Sequence, residues 1–257
     1  MGDESKRRTF EIVSCFKTLG VFFSETMSWD NHINYIVPKL ARVVGIVNQY
    51  RSVLPTSVNL LLYKSLFYSH LTYCLLVWGT STMTNIEKLF LLQKKILRGI
   101  CNVPYNFHSA DLFKICKIIN IYKLYQYILA TSFKSEKIRG LCFLERLASL
   151  REISPHYSTR NTEKWRMVTQ RTNYGYQMLN FTLPHLLNSL CTDNIDFDSF
   201  TFKDLRLYFC TWFLFSVYVL HLGEPWFVEM STVELQRFHC ILCLFLYFFP
   251  RACCWPV

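Results

Sequence analysis

The sequence predicts a mainly α-helical protein that opens with one short β-hairpin. Three observations support this. Eight Gly and eight Pro among 257 residues are too few for a sandwich or a loop-rich scaffold. A helical apolar period runs from Ser28 to about Ser135. Ahead of it stand two β-branched and aromatic runs. Half of the residues are hydrophobic, 51%, so a substantial core can form and general disorder is excluded.

The elements follow in order. Thr9–Val13 and Phe16–Phe23, separated by Ser14-Cys15, read as a strand pair. Ser28 is the expected N-cap of the next segment, with Asp30 in its first turn, where a carboxylate complements the helix dipole. Ile33, Ile36, Val37, Leu40, Val43, Val44 and Val47 then recur at helical spacing, and Pro38 within them should kink or split the helix. Pro55 ends this unit, and Thr56 or Ser57 can cap a largely apolar helix reaching Trp78-Gly79. Its uncharged run, Ser65 to Ile86, approaches the length of a membrane span, but Ser65, Ser69, His70, Thr72 and Gly79-Thr80-Ser81-Thr82 interrupt it. A buried helix followed by a polar loop fits better. From Asn85 to about Cys101 the stripe Leu89, Leu92, Ile96 and Ile100 faces inward. Lys88, Gln93 and Lys95 fall elsewhere, and Lys94 and Arg98 stand four apart on one side. Helices over about Ser109–Lys117 and Tyr122–Ser135 follow. Short loops between strong helices predict antiparallel neighbours. From there to Asp198 the pattern weakens into a loop-rich basic segment, with a helix near Tyr176–Asn188 interrupted at Pro184.

Charge is unevenly distributed. Residues 1–204 hold 25 Lys+Arg against 15 Asp+Glu, whereas 205–257 hold three of each, so the net +10 belongs to the first four-fifths. A basic body favours anionic partners. Residues 205–257 instead carry 14 aromatics and five of the eleven cysteines, including the hydrophobic runs Leu207–Leu222 and Phe238–Pro250, both short for a membrane span. Met1–Arg8 lacks the apolar stretch of a secretory signal, and an odd, irregular cysteine set reads as reduced thiols. An intracellular protein, cytoplasmic or nuclear, is expected.

Most catalytic chemistries find no support. His108-Ser109-Ala110-Asp111 holds triad residue types as sequence neighbours, whereas a triad assembles from separate loops; Ser109 as an N-cap explains them better. His239-Cys240-Ile241-Leu242-Cys243 gives one CxxC half-site, but a structural zinc site usually needs two. Neither GxxxxGK[ST] nor GxGxxG occurs. Asp193, Asp196, Asp198 and Asp204 cluster in a polar turn as solvated charge, not as carboxylates gathered around divalent ions. No cofactor, metal or small-molecule substrate is expected.

Two stretches suit nucleic acid. Lys88, Lys94, Lys95 and Arg98, followed by Tyr105 and His108, could follow a phosphate backbone while the leucines pack inward. His156–Arg166 and Gln170–Gly175 mix cations with aromatics, as phosphate contact with base stacking requires. Physics alone fits a solvated helix face and a basic loop equally well.

The order of segments adds to this. Lys17-Thr18-Leu19-Gly20-Val21 and Met27-Ser28-Trp29-Asp30-Asn31-His32-Ile33 resemble a passage of non-LTR (LINE-type, jockey-like) retrotransposon reverse transcriptases. Leu62–Leu66, Leu71–Cys74 and Val77-Trp78-Gly79 are similar to the next block, and Leu92–Arg98 to its basic helix. Tyr157–Asn161, Arg171–Gly175 and Pro184–Leu190 resemble its C-terminal elements, so the likeness covers about 10–190 in family order. In that family the palm and its acidic metal-binding motif lie upstream of the Leu-Gly-Val strands. The resemblance therefore implies a non-catalytic C-terminal part of an RNA-directed DNA polymerase. Residues 1–27 would be the hairpin ending the palm, 28–138 a helical thumb-like bundle, 139–204 a basic C-terminal segment, and 205–257 a tail without a family counterpart. It also implies a template–primer backbone as partner. Lys94, Lys95 and Arg98 would touch it first, Arg160 and Arg171 second, with Leu19 and Gly20 beside the primer end. Two other classes stay open, a membrane-associated helical protein and a helical interaction protein without nucleic acid.

Overall fold

The computed structural model describes residues 13–153, 163–193 and 195–211. Among them the chain is mainly α-helical, with one two-stranded antiparallel sheet near the N-terminal end. The hairpin is tighter than the sequence suggests. Strands β1 (Cys15–Thr18) and β2 (Val21–Ser24) both come from the second aromatic run, pairing Thr18 with Val21 around Leu19-Gly20. Both turn residues have positive φ, 47° and 80°, the two-residue connection whose twist matches that of the strands. Of the first run only Val13 is described.

Helix α1 spans Asp30–Gln49 unbroken through Pro38. Pro38 and Asn34, whose carbonyl loses its intrahelical donor, both lie on the exposed side, where water can replace the bond. Ser28 does not cap α1. Trp29 holds that position, and the Ser28 carbonyl instead accepts the Ser24 hydroxyl at 2.7 Å. Pro55, not Thr56 or Ser57, precedes helix α2 (Thr56–Leu62). The expected long apolar helix then changes character. A π-helical stretch covers Tyr63–Tyr68, α3 is Ser69–Thr72, and α4 (Leu75–Trp78) starts after Cys74, whose φ is 51°. The hydroxyls of Ser65, Ser69 and Thr72 bond carbonyls one turn back, at 2.5–2.9 Å, and compete with the regular ladder.

Helix α5 (Met83–Ile100) carries the expected stripe, with one correction. Gln93 is fully buried, whereas Leu92 is only half-buried. The Gln93 amide donates to the Tyr63 hydroxyl at 3.1 Å and to the Ile119 carbonyl at 2.9 Å, and accepts from the Ile121 N–H at 3.0 Å. Burial pushes the Tyr63 phenol far above its ordinary range. Helices α1 and α5 run side by side in the same direction. Asn85 donates to Asp30 at 2.7 Å at one end, and a Cβ on Gly99 would come within 2.4 Å of the Asn48 Oδ1 at the other. The antiparallel expectation concerns helices joined by short loops; here α2–α4 lie between the two and carry the chain back before α5 begins.

His108, rather than Ser109, is the N-cap of α6 (Ser109–Ile115); α7 (Ile121–Ile138) is capped by the Asn120 side chain. Beyond it the chain is more helical than expected, with α8 (Phe143–Ala148), α9 (Asn173–Gln177), α10 (Leu179–Thr192, continuous through Pro184) and α11 (Phe202–Thr211). Leu144, Leu183, Leu186, Leu187, Leu190, Leu205 and Phe209 are buried there, and buried polar side chains tie these elements to the rest. Glu136 accepts the Leu144 N–H at 2.8 Å, Lys134 donates to the Phe197 carbonyl at 2.8 Å, and Asn188 pairs with both backbone groups of Trp165 at 2.8 Å. Of the aspartates of the polar turn, Asp196, Asp198 and Asp204 are exposed, as expected of solvated charge, and each also makes local bonds. Asp193 accepts the Tyr208 hydroxyl at 2.5 Å, Asp198 pairs with Lys137, and Asp204 accepts from Thr201 at the start of α11.

Candidate nucleic-acid interface

The buried stripe of α5 fixes where its cations point. With Leu89, Gln93, Ile96, Leu97 and Ile100 turned inward, Lys88 and Lys95 are exposed and Lys94 and Arg98 half-buried. Lys94 lays its ammonium 4.4 Å from the centre of the Phe90 ring, which stacks in turn on Phe113. Among the described residues, Lys95 has no carboxylate within ion-pairing distance. Arg98 is committed to the protein itself. Its Nε and Nη2 both donate to the Phe107 carbonyl at 3.3 Å, and its guanidinium lies 5.1 Å from the Tyr105 ring centre. Arg98 thus pins the loop after α5 and presents Tyr105, 79% exposed, as an aromatic surface beside it. Lys88 donates to Asn85 at 3.3 Å.

The hairpin tip is the second part. Leu19 and Gly20 are exposed, and the Tyr73 hydroxyl donates to the Leu19 carbonyl at 2.7 Å. The break at Tyr73-Cys74 makes this possible. It turns Tyr73 out toward the tip while Trp78, whose indole N–H donates to the Tyr73 carbonyl at 2.8 Å, enters the core. Behind the tip, β2 lies on α1 through His32. The Nδ1 of this buried imidazole accepts the Phe22 N–H at 3.4 Å, while Nε2 has no hydrogen-bond partner among the described residues. Burial, followed by the Lys39 charge, lowers His32 to about 4.

Here the structure assembles a cluster that sequence reasoning missed. Lys17 on β1 and Lys39 on α1 both donate to the Tyr35 hydroxyl, at 3.1 and 2.7 Å. Their ammonium groups lie 4.5 and 4.0 Å from the Tyr35 ring centre, and Lys17 also lies 5.2 Å from that of Phe22. The hydrogen bond from Lys39, then that from Lys17, lowers the Tyr35 pKa. Tyr35 and Lys39 are one helical turn apart, a legible signal, but Lys17 joins them only through the hairpin.

Arg171 is exposed at the start of the Thr172-capped helix α9. Three residues after Arg171, the Tyr174 hydroxyl donates to the Thr26 carbonyl, tying this stretch to the end of the hairpin. Arg160 and most of His156–Arg166 lie outside the described residues, as does the Cys240/Cys243 pair. Among the described residues no three His, Cys, Asp or Glu side chains stand close enough to hold a metal, and no helix is long and apolar enough to cross a membrane.

Over 107 residues, 40% of its length, the chain is 27% identical to the RNA-directed DNA polymerase from mobile element jockey of Drosophila melanogaster. The match spans 12% of that polymerase. It supports a relationship to retrotransposon reverse transcriptases. No family model matches the chain, and no solved structure does.

Proposed function

We propose that the chain is the thumb-like, post-palm portion of a retrotransposon RNA-directed DNA polymerase. It is non-catalytic by itself and holds the backbone of a template–primer duplex. The observation that carries this reading is the outward face of α5. Lys88, Lys94 and Lys95 project over an apolar stripe, Arg98 supports an exposed Tyr105 at its end, and the chain is similar to the jockey polymerase. A duplex backbone needs cations on a rigid element, because phosphate contacts position the partner and supply most of the affinity. Leu19 and Gly20 stand at the primer end in this reading, and Arg160 and Arg171 add backbone contacts. Polymerisation would require metal-held carboxylates supplied by a palm.

The test is binding of an RNA–DNA hybrid over a salt series. Affinity should be weak, nearly independent of sequence, and steeply lowered by salt. Replacing Lys94, Lys95 and Arg98 with Ala should reduce the slope of log K against log salt by about two to three. Because Arg98 also pins the loop at Phe107, Lys94→Ala with Lys95→Ala is the cleaner variant. It should remove roughly two units of slope at unchanged helicity. An unchanged slope would make α5 an ordinary solvated face.

A further inference from the structure

We propose that Lys17, Tyr35 and Lys39 form a binding site for a phosphate group, separate from the cations of α5. Two ammonium groups converge on one phenol oxygen, so they stand within about 6 Å of each other, a separation at which like charges repel unless an anion joins them. Among the described residues no carboxylate pairs with either lysine. The Tyr35 hydroxyl accepts from both, and its own proton has no acceptor among the described residues. Each ammonium keeps two further N–H donors. The three groups therefore offer a phosphate several converging donors and two positive charges. The hydrogen bonds from Lys39 and Lys17, and after them the two charges, hold the Tyr35 pKa below its ordinary value.

The site is also held in place. Phe22 meets the Tyr35 ring edge-on, with centres 5.0 Å apart, and the Phe22 N–H is bonded to His32 on α1. Strand β2 and helix α1 thus hold the phenol where both lysines reach it. The phosphate is either free or part of a nucleic-acid backbone, and in the second form the proposal rests on the function proposed above.

The experiment uses the full chain labelled with 13C-tyrosine, with the Tyr35 signal assigned through Tyr35→Phe. Inorganic phosphate and a short RNA–DNA hybrid are titrated separately against matched sodium chloride. The expected result is a saturable shift of the Tyr35 signal with at least one probe. Lys17→Met with Lys39→Met should weaken that binding about tenfold, with circular dichroism unchanged. Saturation by the hybrid alone identifies a backbone phosphate; saturation by phosphate alone identifies a free one. Should the double variant fail to fold, Tyr35→Phe, which keeps the ring and both cations but removes the hydroxyl donor, must still weaken binding several-fold as read from whole-chain affinity. A Tyr35 signal that neither probe moves beyond the chloride control overturns the site. If the hybrid still binds through Lys94 and Lys95, the α5 reading survives. If phosphate moves Tyr35 while the hybrid does not bind at all, the site stands and the nucleic-acid reading falls.

Discussion

The hydroxyl of Tyr73 donates to the carbonyl of Leu19, 54 residues earlier in the chain, and so anchors the tip of the hairpin to a break between two helices. Leu19 has positive φ, a conformation that its Cβ opposes and that Asn adopts more readily. Tyr73→Phe should therefore lower stability by about 1 kcal/mol and speed amide exchange in the hairpin. Leu19→Asn should raise stability by roughly 0.5–1 kcal/mol, since the leucine is about half exposed and little apolar burial is lost. Urea midpoints with hydrogen exchange at Thr18 and Val21 would decide both. A destabilised Leu19→Asn chain would mean that the leucine packs on something the turn requires.

Gln93 carries a larger load. It satisfies the Tyr63 hydroxyl, the Ile119 carbonyl and the Ile121 N–H inside the core. Gln93→Met preserves shape but leaves three polar groups unsatisfied. A loss of about 3 kcal/mol or more is expected in urea denaturation. A loss below 1 kcal/mol would show that water takes over these bonds.

His32 should make stability fall on acidification. Burial, then Lys39, lowers its pKa to about 4 from the ordinary 6.5, so the unfolded chain takes up the proton first as pH drops. Its contribution is complete above about pH 6.5 and is lost progressively toward pH 4, to a ceiling of roughly 3 kcal/mol. Protonation of Nδ1 would also cancel its bond from the Phe22 N–H. Between pH 6.5 and 5, before most carboxylates titrate, a His32→Leu chain should show a flatter dependence of urea midpoint on pH. Equal slopes would count against a buried neutral imidazole.

Cys101 and Cys116 stand with sulfurs 3.4 Å apart at the ends of α5 and α6. Diamide, a two-electron thiol oxidant, should join them in a disulfide, found by mass spectrometry as a cross-linked peptide pair and absent from Cys116→Ser. Burial, then the bond with Cys101, pushes the Cys116 thiol up to about 12, so the reaction should be slow near neutrality and quicken at alkaline pH. Preferential linkage to another cysteine would mean that the loop between the two helices does not hold them together.

What the sequence made legible was whatever repeats locally. The stripes of α1 and α5 were plain because each apolar position predicts the next one on the same face. Gln93 falls off the stripe in the sequence because periodicity does not place a polar residue in the core; its partners, Tyr63 and the ends of the 119–121 turn, lie about 30 residues away on either side. The turn inside Phe16–Phe23 is hard to see because Leu-Gly is a weaker turn signal than Asn-Gly. The α5 cations were visible as a pattern, but the use of Arg98 on Phe107 was not. The lysine pair on Tyr35 needed the hairpin to fold back before its members could meet.

The parallel seating of α1 on α5 has a consequence for how the chain emerges from a ribosome. Asp30 meets Asn85 and Asn48 meets Gly99, so the apolar stripe of α1 has its main partner some 55 residues downstream. At about 5–20 residues per second, that stripe waits several seconds outside the exit tunnel before α5 is complete. During that interval Ile33, Ile36, Leu40, Val43 and Val47 form an uncovered hydrophobic ridge of the kind chaperones bind. A nascent chain arrested before Ile100 should therefore be chaperone-bound and protease-sensitive throughout α1, and one arrested after α7 should be protected there.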